Sequence, residues 1–155
     1  MPSNNITRFL DSRKINYEIF ELPAEKLGAV ETADILHVPI SIVYKTIVLN
    51  QQNSKPILCI VPGNSEVDLK AVASFLGQKK VRLTTKEEAE SLTGLLVGGI
   101  SPLALIHKGF IMIIDESINQ NEYIHISGGE RGLNIKILSQ DLLNLLNAKI
   151  AKIST

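Results

Sequence analysis

The chain has 155 residues, of which 45% are hydrophobic and 21% are charged, which predicts one folded domain over residues 1–155 and excludes a largely disordered chain. Basic and acidic residues number 16 each, and this zero net charge argues against a protein that holds long nucleic acid by bulk electrostatics. The single cysteine excludes an internal disulfide, which favours a reducing cytoplasm, and no apolar run approaches the about 18 residues that a membrane span needs.

Helices and strands are predicted to alternate in the first half of the chain. Apolar residues recur at helical spacing behind Asn4 and Asn5, either of which can cap a first turn. The predicted order is a helix over Asn4–Arg13, a strand over Ile15–Ile19, a helix over Val30–Leu36, and strands over Tyr44–Asn50 and Ile57–Val61. The polar residues between the last two strands favour a hairpin.

The second half of the chain predicts four further strands and three further helices. The predicted order is a helix over Leu69–Leu76 closed by Gly77, a strand over Val81–Leu83, a helix that Thr85 and Glu88 open as a capping box and Gly94 ends, strands over Ile111–Asp115, Tyr123–Ser127 and Leu133–Ile137, and a helix from a Ser139 cap to Leu146. Parallel crossovers need about a dozen residues, so the short turns between strands exclude a purely parallel sheet. We therefore expect a mixed-sheet α+β domain.

One charged residue, Lys45, interrupts the apolar β-branched run Ile42–Leu49. Because strand side chains alternate between two faces, Lys45 shares its face with Val43, Ile47 and Leu49. An unpaired buried ammonium is costly, which leaves two interpretations. Either the lysine reaches solvent along its aliphatic stem, or it lines a cavity that binds a negative group. The spacing alone favours the first.

Two glycine-containing loops can bring the backbone close to a ligand, because glycine lacks a Cβ atom. The first loop is Gly98-Gly99-Ile100-Ser101-Pro102, and the second begins with Gly128-Gly129 directly after a predicted strand. Each loop can equally be a tight bend or hairpin turn. Neither loop matches the phosphate-binding patterns G-x-G-x-x-G or G-x-x-x-x-G-K-[ST].

The remaining reactive side chains form no recognisable catalytic motif. His125 lies on a strand face that a partly exposed polar surface explains as well as a site does, and no two histidines have the spacing of zinc ligands, so neither a metal nor a cofactor is expected. Cys59 lies inside an apolar strand and is interpreted as a small core residue. Glu87, Glu88 and Glu90 are interpreted as the solvated face of a helix.

Several motifs, in order along the chain, resemble those of the YbaK/EbsC family. The matching blocks are Val43-Tyr44-Lys45-Thr46, Val61-Pro62-Gly63 with Asp68-Leu69-Lys70, Leu76-Gly77 with Lys79-Lys80-Val81, Thr93-Gly94, Leu96 through Leu103, and Ser127 through Leu133. The last two blocks are highly specific together, and the match runs from about Ile15 to Ile153. These proteins are similar to the editing domain inserted in bacterial prolyl-tRNA synthetase.

The resemblance implies an α+β fold with a mixed, largely antiparallel, barrel-like sheet surrounded by helices. It also implies an enzyme, a deacylase that hydrolyses the ester of a mischarged tRNA. The expected substrate is Cys-tRNA(Pro), with alanyl or other small aminoacyl groups as further candidates. The expected partners are the tRNA acceptor end and a prolyl- or cysteinyl-tRNA synthetase.

The same resemblance assigns roles to residues of this chain. Lys45 is implied as the key active-site residue, with Thr46 beside it. The G-x-x-x-P loop, here Gly98, Gly99, Ile100, Ser101 and Pro102, is implied to shape the pocket for the aminoacyl group and the terminal adenosine. Ser127, with Gly128 and Gly129 behind it, is implied to belong to that pocket.

Two positions depart from the pattern of the Cys-tRNA branch of this family. Asn134 stands where that branch usually has an aspartate, so a hydrogen-bonding group is kept while a negative charge is lost. Leu22 stands where the branch has a tyrosine if no gap is allowed. Both differences concern the amino-acid specificity and leave the expected reaction unchanged; we count Asn134 among the substrate-binding residues.

An aminoacyl ester is already activated, which agrees with the lack of a catalytic triad. We expect Lys45 to act electrostatically on a phosphate or on the carbonyl as charge develops, and backbone N–H groups around Gly98–Ser101 to hold the ester. The nucleophile is a water or the substrate's own thiol; a general-base role for Lys45 is the weaker alternative. The competing class is a non-catalytic module that binds aminoacyl-tRNA or a nucleotide and regulates a synthetase.

Overall fold

The computed structural model describes residues 2–155, and within that range the fold is α+β with two sheets and five α-helices. The helices are α1 (Asn5–Ser12), α2 (Ala29–Leu36), α3 (Leu69–Leu76), α4 (Lys86–Thr93) and α5 (Ser139–Leu146). The strands are β1 (Tyr17–Glu21), β2 (Tyr44–Gln51), β3 (Ile57–Pro62), β4 (Val81–Leu83), β5 (Ile111–Asp115), β6 (Tyr123–Ser127), β7 (Leu133–Leu138) and β8 (Lys149–Ala151). No helix in this range is long and apolar enough to cross a membrane.

The predicted capping chemistry is confirmed in three of the four helices for which it was expected, α1, α3 and α4. Asn4 Oδ1 accepts a hydrogen bond from the Thr7 N–H at 3.0 Å, and Thr85 and Glu88 form the predicted capping box of α4. Gly77 and Gly94 end α3 and α4 in the left-handed conformation, where glycine costs least. These contacts explain why short helices of eight residues are well bounded.

In the last quarter of the chain one expectation is wrong and one strand was not predicted. Ser139 is not a cap: it is the first residue of α5, and its hydroxyl donates to the Asn121 carbonyl instead. Strand β8 was not predicted, since its three residues show too short a pattern to detect. It forms because its backbone extends the sheet in parallel beside β5.

The predicted mixed sheet is confirmed, but as two separate sheets. Strand order is β4-β2-β3-β5-β8 in the larger sheet and β1-β7-β6 in the smaller one. Pairing is antiparallel except for β3 with β5 and β5 with β8. An isolated parallel bridge between Val43 and His125 joins the two sheets. Among residues 2–155 no ladder closes them into a barrel, so the barrel-like expectation is met only in part.

The hydrophobic core lies on both faces of β2. Tyr44 and Val48 point into the larger cluster, which also receives Ile135 and Ile137 from the smaller sheet. Leu49 and Ile47 point the opposite way, against α3. Lys45 shares the second face, as the alternation predicted. In β7 the same alternation leaves Asn134 and Lys136 on the face that points away from the larger cluster.

Candidate active site

A cavity of about 220 Å³ lies where β2 begins and β6 ends. The bridge sets Val43 beside His125 in parallel, so two residues further on Lys45 comes level with Ser127. The bridge is isolated and does not continue as a ladder, and both Lys45 and Ser127 line the cavity. Strand β7 completes this region, since Asn134 is the cross-strand partner of Ser127.

The cavity brings together six of the eleven predicted site residues. These are Lys45, Thr46, Gly98, Ile100, Ser127 and Asn134. The other five do not line it, namely Gly99, Ser101, Pro102, Gly128 and Gly129. The predicted set is therefore divided into residues that face the cavity and residues that hold the loops around it.

Lys45 lines the cavity and also reaches its rim. Its Nζ atom lies 3.4 Å from Glu66 Oε1, with side-chain exposures of 26% for the lysine and 85% for the glutamate. An ion pair with one partner so exposed is weak and easily exchanged for another anion. Of the two interpretations of Lys45 from sequence, the cavity-lining one is thus supported, and its ammonium still contacts solvent.

The first glycine loop is fixed by contacts to the backbone of Val97. The Val97 N–H donates to Glu90 Oε2 at 2.8 Å, and Arg131 Nε donates to the Val97 carbonyl at 2.8 Å. Gly98 follows with φ of +97°, a conformation that glycine adopts without strain. Glu90 is therefore not merely part of a solvated helix face, as the helical spacing had indicated: it holds the loop.

Gly99 packs directly against the second glycine-containing loop. A Cβ atom at this position would lie 2.8 Å from Glu130 Cα and 2.9 Å from the Arg131 nitrogen. Side chains cannot relieve such a contact, because both atoms belong to the backbone. The two loops thus support each other, and the role of this glycine is close packing and not ligand contact.

Ser101 and Pro102 fold the end of the first loop. Ser101 is fully buried, and its Oγ accepts a hydrogen bond from the Leu103 N–H at 3.3 Å. Pro102 begins the short 3₁₀ turn 102–104 that follows, a position where a missing N–H does no harm. Both residues therefore shape the cavity wall from behind.

The second loop is anchored to α1. The Gly128 carbonyl accepts a hydrogen bond from Asn4 Nδ2 at 2.8 Å, and Ser127 Oγ accepts one from the Gly129 N–H at 3.2 Å. A Cβ atom on Gly129 would lie 2.5 Å from Ile6 Cδ1. Gly129 thus lets the turn approach the helix, and Ser127 at the start of this turn lines the cavity.

His125 lies beneath the cavity and is not on an exposed strand face, so that interpretation is wrong. It is 2% exposed, its Nδ1 atom lies 2.9 Å from Asn134 Oδ1, and its ring lies 5.6 Å from the Phe20 ring. Burial lowers the pKa of His125, against a raising effect of the Asn134 hydrogen bond. The sequence could not show this burial, because it depends on contacts with Phe20 and Asn134, which lie on other strands.

The segment between β1 and α2 also lines the cavity, although its sequence carries no motif. It contributes Leu22, the departure noted from the sequence, together with Glu25, and α2 adds Thr32. Glu25 is the one carboxylate among the described residues that line the cavity. Cys59 lies elsewhere, fully buried in β3, and burial raises the pKa of its thiol to about 12, which confirms the core interpretation.

The chain is similar in sequence to proteins of one known family. Residues 24–145 match the family model described as "Aminoacyl-tRNA editing domain". The chain is 31% identical, over 97% of its length and 93% of the other, to an Enterococcus faecalis protein named "Putative Cys-tRNA(Pro)/Cys-tRNA(Cys) deacylase EbsC".

Two solved structures share the fold over nearly the whole chain. "Hypothetical protein APE2540" matches with a TM-score of 0.91 at 20% identity, covering 98% of this chain and 100% of the other. "A putative trans-editing enzyme for prolyl tRNA synthetase" matches with a TM-score of 0.83 at 24% identity, covering 100% of this chain and 99% of the other.

Proposed function

This chain belongs to the aminoacyl-tRNA editing domain family, as its motifs had indicated, and we propose that it is a trans-acting deacylase that hydrolyses the ester of a mischarged tRNA. The observation that carries the proposal is the convergence of Lys45, Thr46, Ser127 and Asn134 on one small cavity. We further propose that residues 1–155 work as a single editing domain, in the reducing cytoplasm that the lone cysteine favours.

The composition of the cavity supports catalysis by positioning. It offers an ammonium, hydroxyls, an amide and backbone groups of a glycine loop, and Cys59, the chain's one thiol, lies outside it. An ester needs little more than correct placement and stabilisation of the developing oxyanion. Lys45 supplies that charge stabilisation, either at the ester carbonyl or at the terminal phosphate. The nucleophile is a water molecule or, with cysteine, the substrate's own thiol.

The size of the cavity supports a small aminoacyl group. About 220 Å³ is below the roughly 300–1,000 Å³ typical of pockets that enclose a whole drug-sized ligand. The aminoacyl group therefore occupies the cavity, while the terminal adenosine lies at its mouth near Lys45 and Gly98. The cysteinyl ester of tRNA(Pro) is our preferred substrate, in line with the name of the Enterococcus relative. Alanyl and similar small aminoacyl esters are the next candidates.

The α-ammonium of an aminoacyl group needs a negative partner. Asn134 carries no charge, so Glu25, the carboxylate that lines the cavity, takes this role. The aspartate expected at position 134 from the Cys-tRNA branch is thereby replaced in function by a carboxylate from another part of the chain. This assignment places the ammonium near Glu25 and leaves Asn134 free for another substrate atom.

Zero net charge supports a contact with the acceptor end alone, since binding along a longer stretch of tRNA would demand a basic surface. A prolyl- or cysteinyl-tRNA synthetase would then present the tRNA. Lys79, Lys80 and Arg82 are basic residues close together in the sequence that could contact a backbone phosphate. Arg82 is already paired with Glu88 at 2.9 Å, which weakens the case for this residue.

The test is deacylation of a panel of charged tRNAs, with Cys-tRNA(Pro), Ala-tRNA(Pro) and correctly charged Pro-tRNA(Pro). Lys45→Ala is compared with Lys55→Ala, because Lys55 is an exposed lysine in the turn at the far end of the same hairpin. We expect hydrolysis of the mischarged substrates by the native chain and by Lys55→Ala, and a loss of at least about 100-fold in Lys45→Ala, the scale of a lost oxyanion donor.

Two results would overturn parts of the proposal. Saturable tRNA binding without hydrolysis of any panel member would favour the non-catalytic binding module that regulates a synthetase. Hydrolysis of Cys-tRNA(Pro) no faster than of Ala-tRNA(Pro) would leave the deacylase in place and refute the preferred substrate.

A further inference from the structure

One face of the smaller sheet carries a polar set of side chains directly under the cavity. Ser127 of β6 and Asn134 of β7 form a cross-strand pair that lines it, and His125 and Lys136 form the next pair along the same strands. Because strand side chains alternate, all four point to one face. His125 therefore meets Asn134 diagonally, one step deeper than the cavity floor.

The hydrogen bond between these two residues fixes the orientation of both. Its atoms are His125 Nδ1 and Asn134 Oδ1, 2.9 Å apart. An amide oxygen only accepts, so His125 Nδ1 carries the proton and donates it. Neutral histidine has one ring N–H, hence Nε2 is unprotonated. Burial lowers the pKa of His125, which keeps the ring neutral near pH 7.

The other end of the Asn134 amide is left for the cavity. Among the described residues, Asn134 Nδ2 has no hydrogen-bond partner within the protein. The one side-chain polar atom in that range that is both fully buried and without a partner is Gln51 Oε1. Asn134 Nδ2 is consequently not enclosed, although Asn134 as a whole is only 4% exposed. Since Asn134 lines the cavity, its N–H groups open into that space.

We propose that His125 is a positioning residue that locks the Asn134 amide with its N–H groups turned into the cavity, so that the floor donates a hydrogen bond to an acceptor atom of the aminoacyl group. The proposal rests on the proposed function and adds the chemistry of this one subsite. The acceptor is an uncharged or anionic atom, such as the ester carbonyl oxygen or a side-chain sulfur, and not the α-ammonium.

The consequence is a preference that an aspartate at the same place would reverse. A carboxylate accepts and attracts a cation, whereas the locked amide donates and repels one. Without His125 the amide could turn round and present its oxygen. A single buried histidine, which touches no substrate, thus decides which kind of group the cavity floor accepts.

The first test concerns the ring of His125 in the free protein and needs no substrate. Two-dimensional ¹⁵N–¹H NMR of ¹⁵N-histidine-labelled protein at pH 7 distinguishes the two neutral tautomers. We expect a protonated Nδ1 and an unprotonated Nε2 for His125, with His125→Gln used to assign its signals. A protonated Nε2 would mean that Asn134 donates to the ring and turns its oxygen to the cavity, which overturns the proposal.

The second test separates a positioning role from a purely structural one. His125→Phe keeps a ring beside Phe20 but removes the donor, whereas His125→Gln keeps an N–H donor on a flexible chain. We expect kcat/KM for Cys-tRNA(Pro) to fall about 10-fold in His125→Phe, the worth of one hydrogen bond, and to recover to within about 3-fold in His125→Gln. Equal losses in two variants that melt alike would overturn the proposal.

Asn134→Asp supplies the complementary measurement. It should lower kcat/KM for Cys-tRNA(Pro) about 10-fold or more, and an unchanged value would show that no donor is needed at this position. If the native chain hydrolyses no charged tRNA at all, the proposed function fails, but the tautomer measurement still decides whether His125 locks the amide as described.

Discussion

Replacing Gly99 by alanine tests how closely the cavity depends on contact between its two loops. The new Cβ atom would lie 2.8 Å from Glu130 Cα, whereas ordinary van der Waals contact begins at 3.4 Å. Because that neighbour is backbone, the two loops must move apart until this separation reaches the contact distance. Overpacking of this kind costs about 1–3 kcal/mol, and a displacement near 1 Å at a site costs up to about 100-fold in rate.

We therefore expect Gly99→Ala to lower kcat/KM for Cys-tRNA(Pro) by about 10-fold while the chain still folds. Deacylation kinetics and urea unfolding of the same preparations give the two quantities. Gly109→Ala is the matched control: its Cβ atom would meet nothing within 4 Å, but its φ of +81° is strained for alanine, at about 1–3 kcal/mol.

The two variants separate stability from geometry, since both are destabilised and only one disturbs the loops. If Gly99→Ala keeps native kcat/KM, the contact between the loops does not position the site. If Gly109→Ala loses activity equally, the effect comes from stability alone. Either result refutes the reasoning.

Three further predictions concern charged and capping groups. Burial raises the pKa of Asp115, but hydrogen bonds, including one from the Ile153 N–H, lower it by more, so the net shift is downward. The stability that this carboxylate contributes is therefore complete above its unfolded pKa of about 3.9 and is lost as pH falls through the lower folded pKa. Asp115→Asn should remove this pH dependence from an acid unfolding curve, and an unchanged curve contradicts the prediction. Glu66→Gln frees Lys45 from its exposed partner and should lower KM about 2-fold at low salt with kcat unchanged; a raised KM would mean that Glu66 helps to bind the substrate. Asn4→Ala removes the cap of α1 and should lower the free energy of unfolding in urea by about 1–2 kcal/mol. Asn4→Asp still caps the helix but cannot donate to the Gly128 carbonyl, and it should keep most of the native stability. Equal losses in the two variants would mean that the hydrogen bond to Gly128, and not the cap, stabilises the fold.

Short-range patterns predicted the secondary structure well, because caps and alternation act within a few residues. The capping box of Thr85 and Glu88 and the glycine stops at Gly77 and Gly94 are local features, and the structure confirms them. Ser139 shows the limit of the same reasoning. A serine before a helix is an attractive cap, but here a carbonyl of Asn121 competes for its hydroxyl.

Side-chain roles that depend on distant contacts could not be predicted from spacing. Glu90 looked solvated, yet the Val97 N–H reaches it across the end of α4. His125 looked like a member of a partly exposed polar strand face, but it is buried and its ring lies beside that of Phe20 from β1. Lys45 was ambiguous for the same reason: alternation gives its face, and only the position of the second sheet shows that the face borders a cavity.

The resemblance supplied a site list whose members now have different physical duties. Lys45 and Ser127 face the cavity, whereas Gly99 and Ser101 hold the loops from behind. A motif records that a residue type is required at a position, and it does not record whether the requirement is chemical or steric. The distances around each residue make that distinction.

The joint between the two sheets has a consequence for how selectivity can change. Val43 and His125 share an isolated bridge and not a continuous ladder, so side-chain packing, more than backbone pairing, sets how far the sheets stand apart at the cavity. Replacing a core residue such as Val48 or Ile126 with a larger or smaller one would widen or narrow the cavity between the sheets without breaking a sheet hydrogen bond. The fold can thereby be adapted to a different aminoacyl group by interior mutations that never touch the substrate.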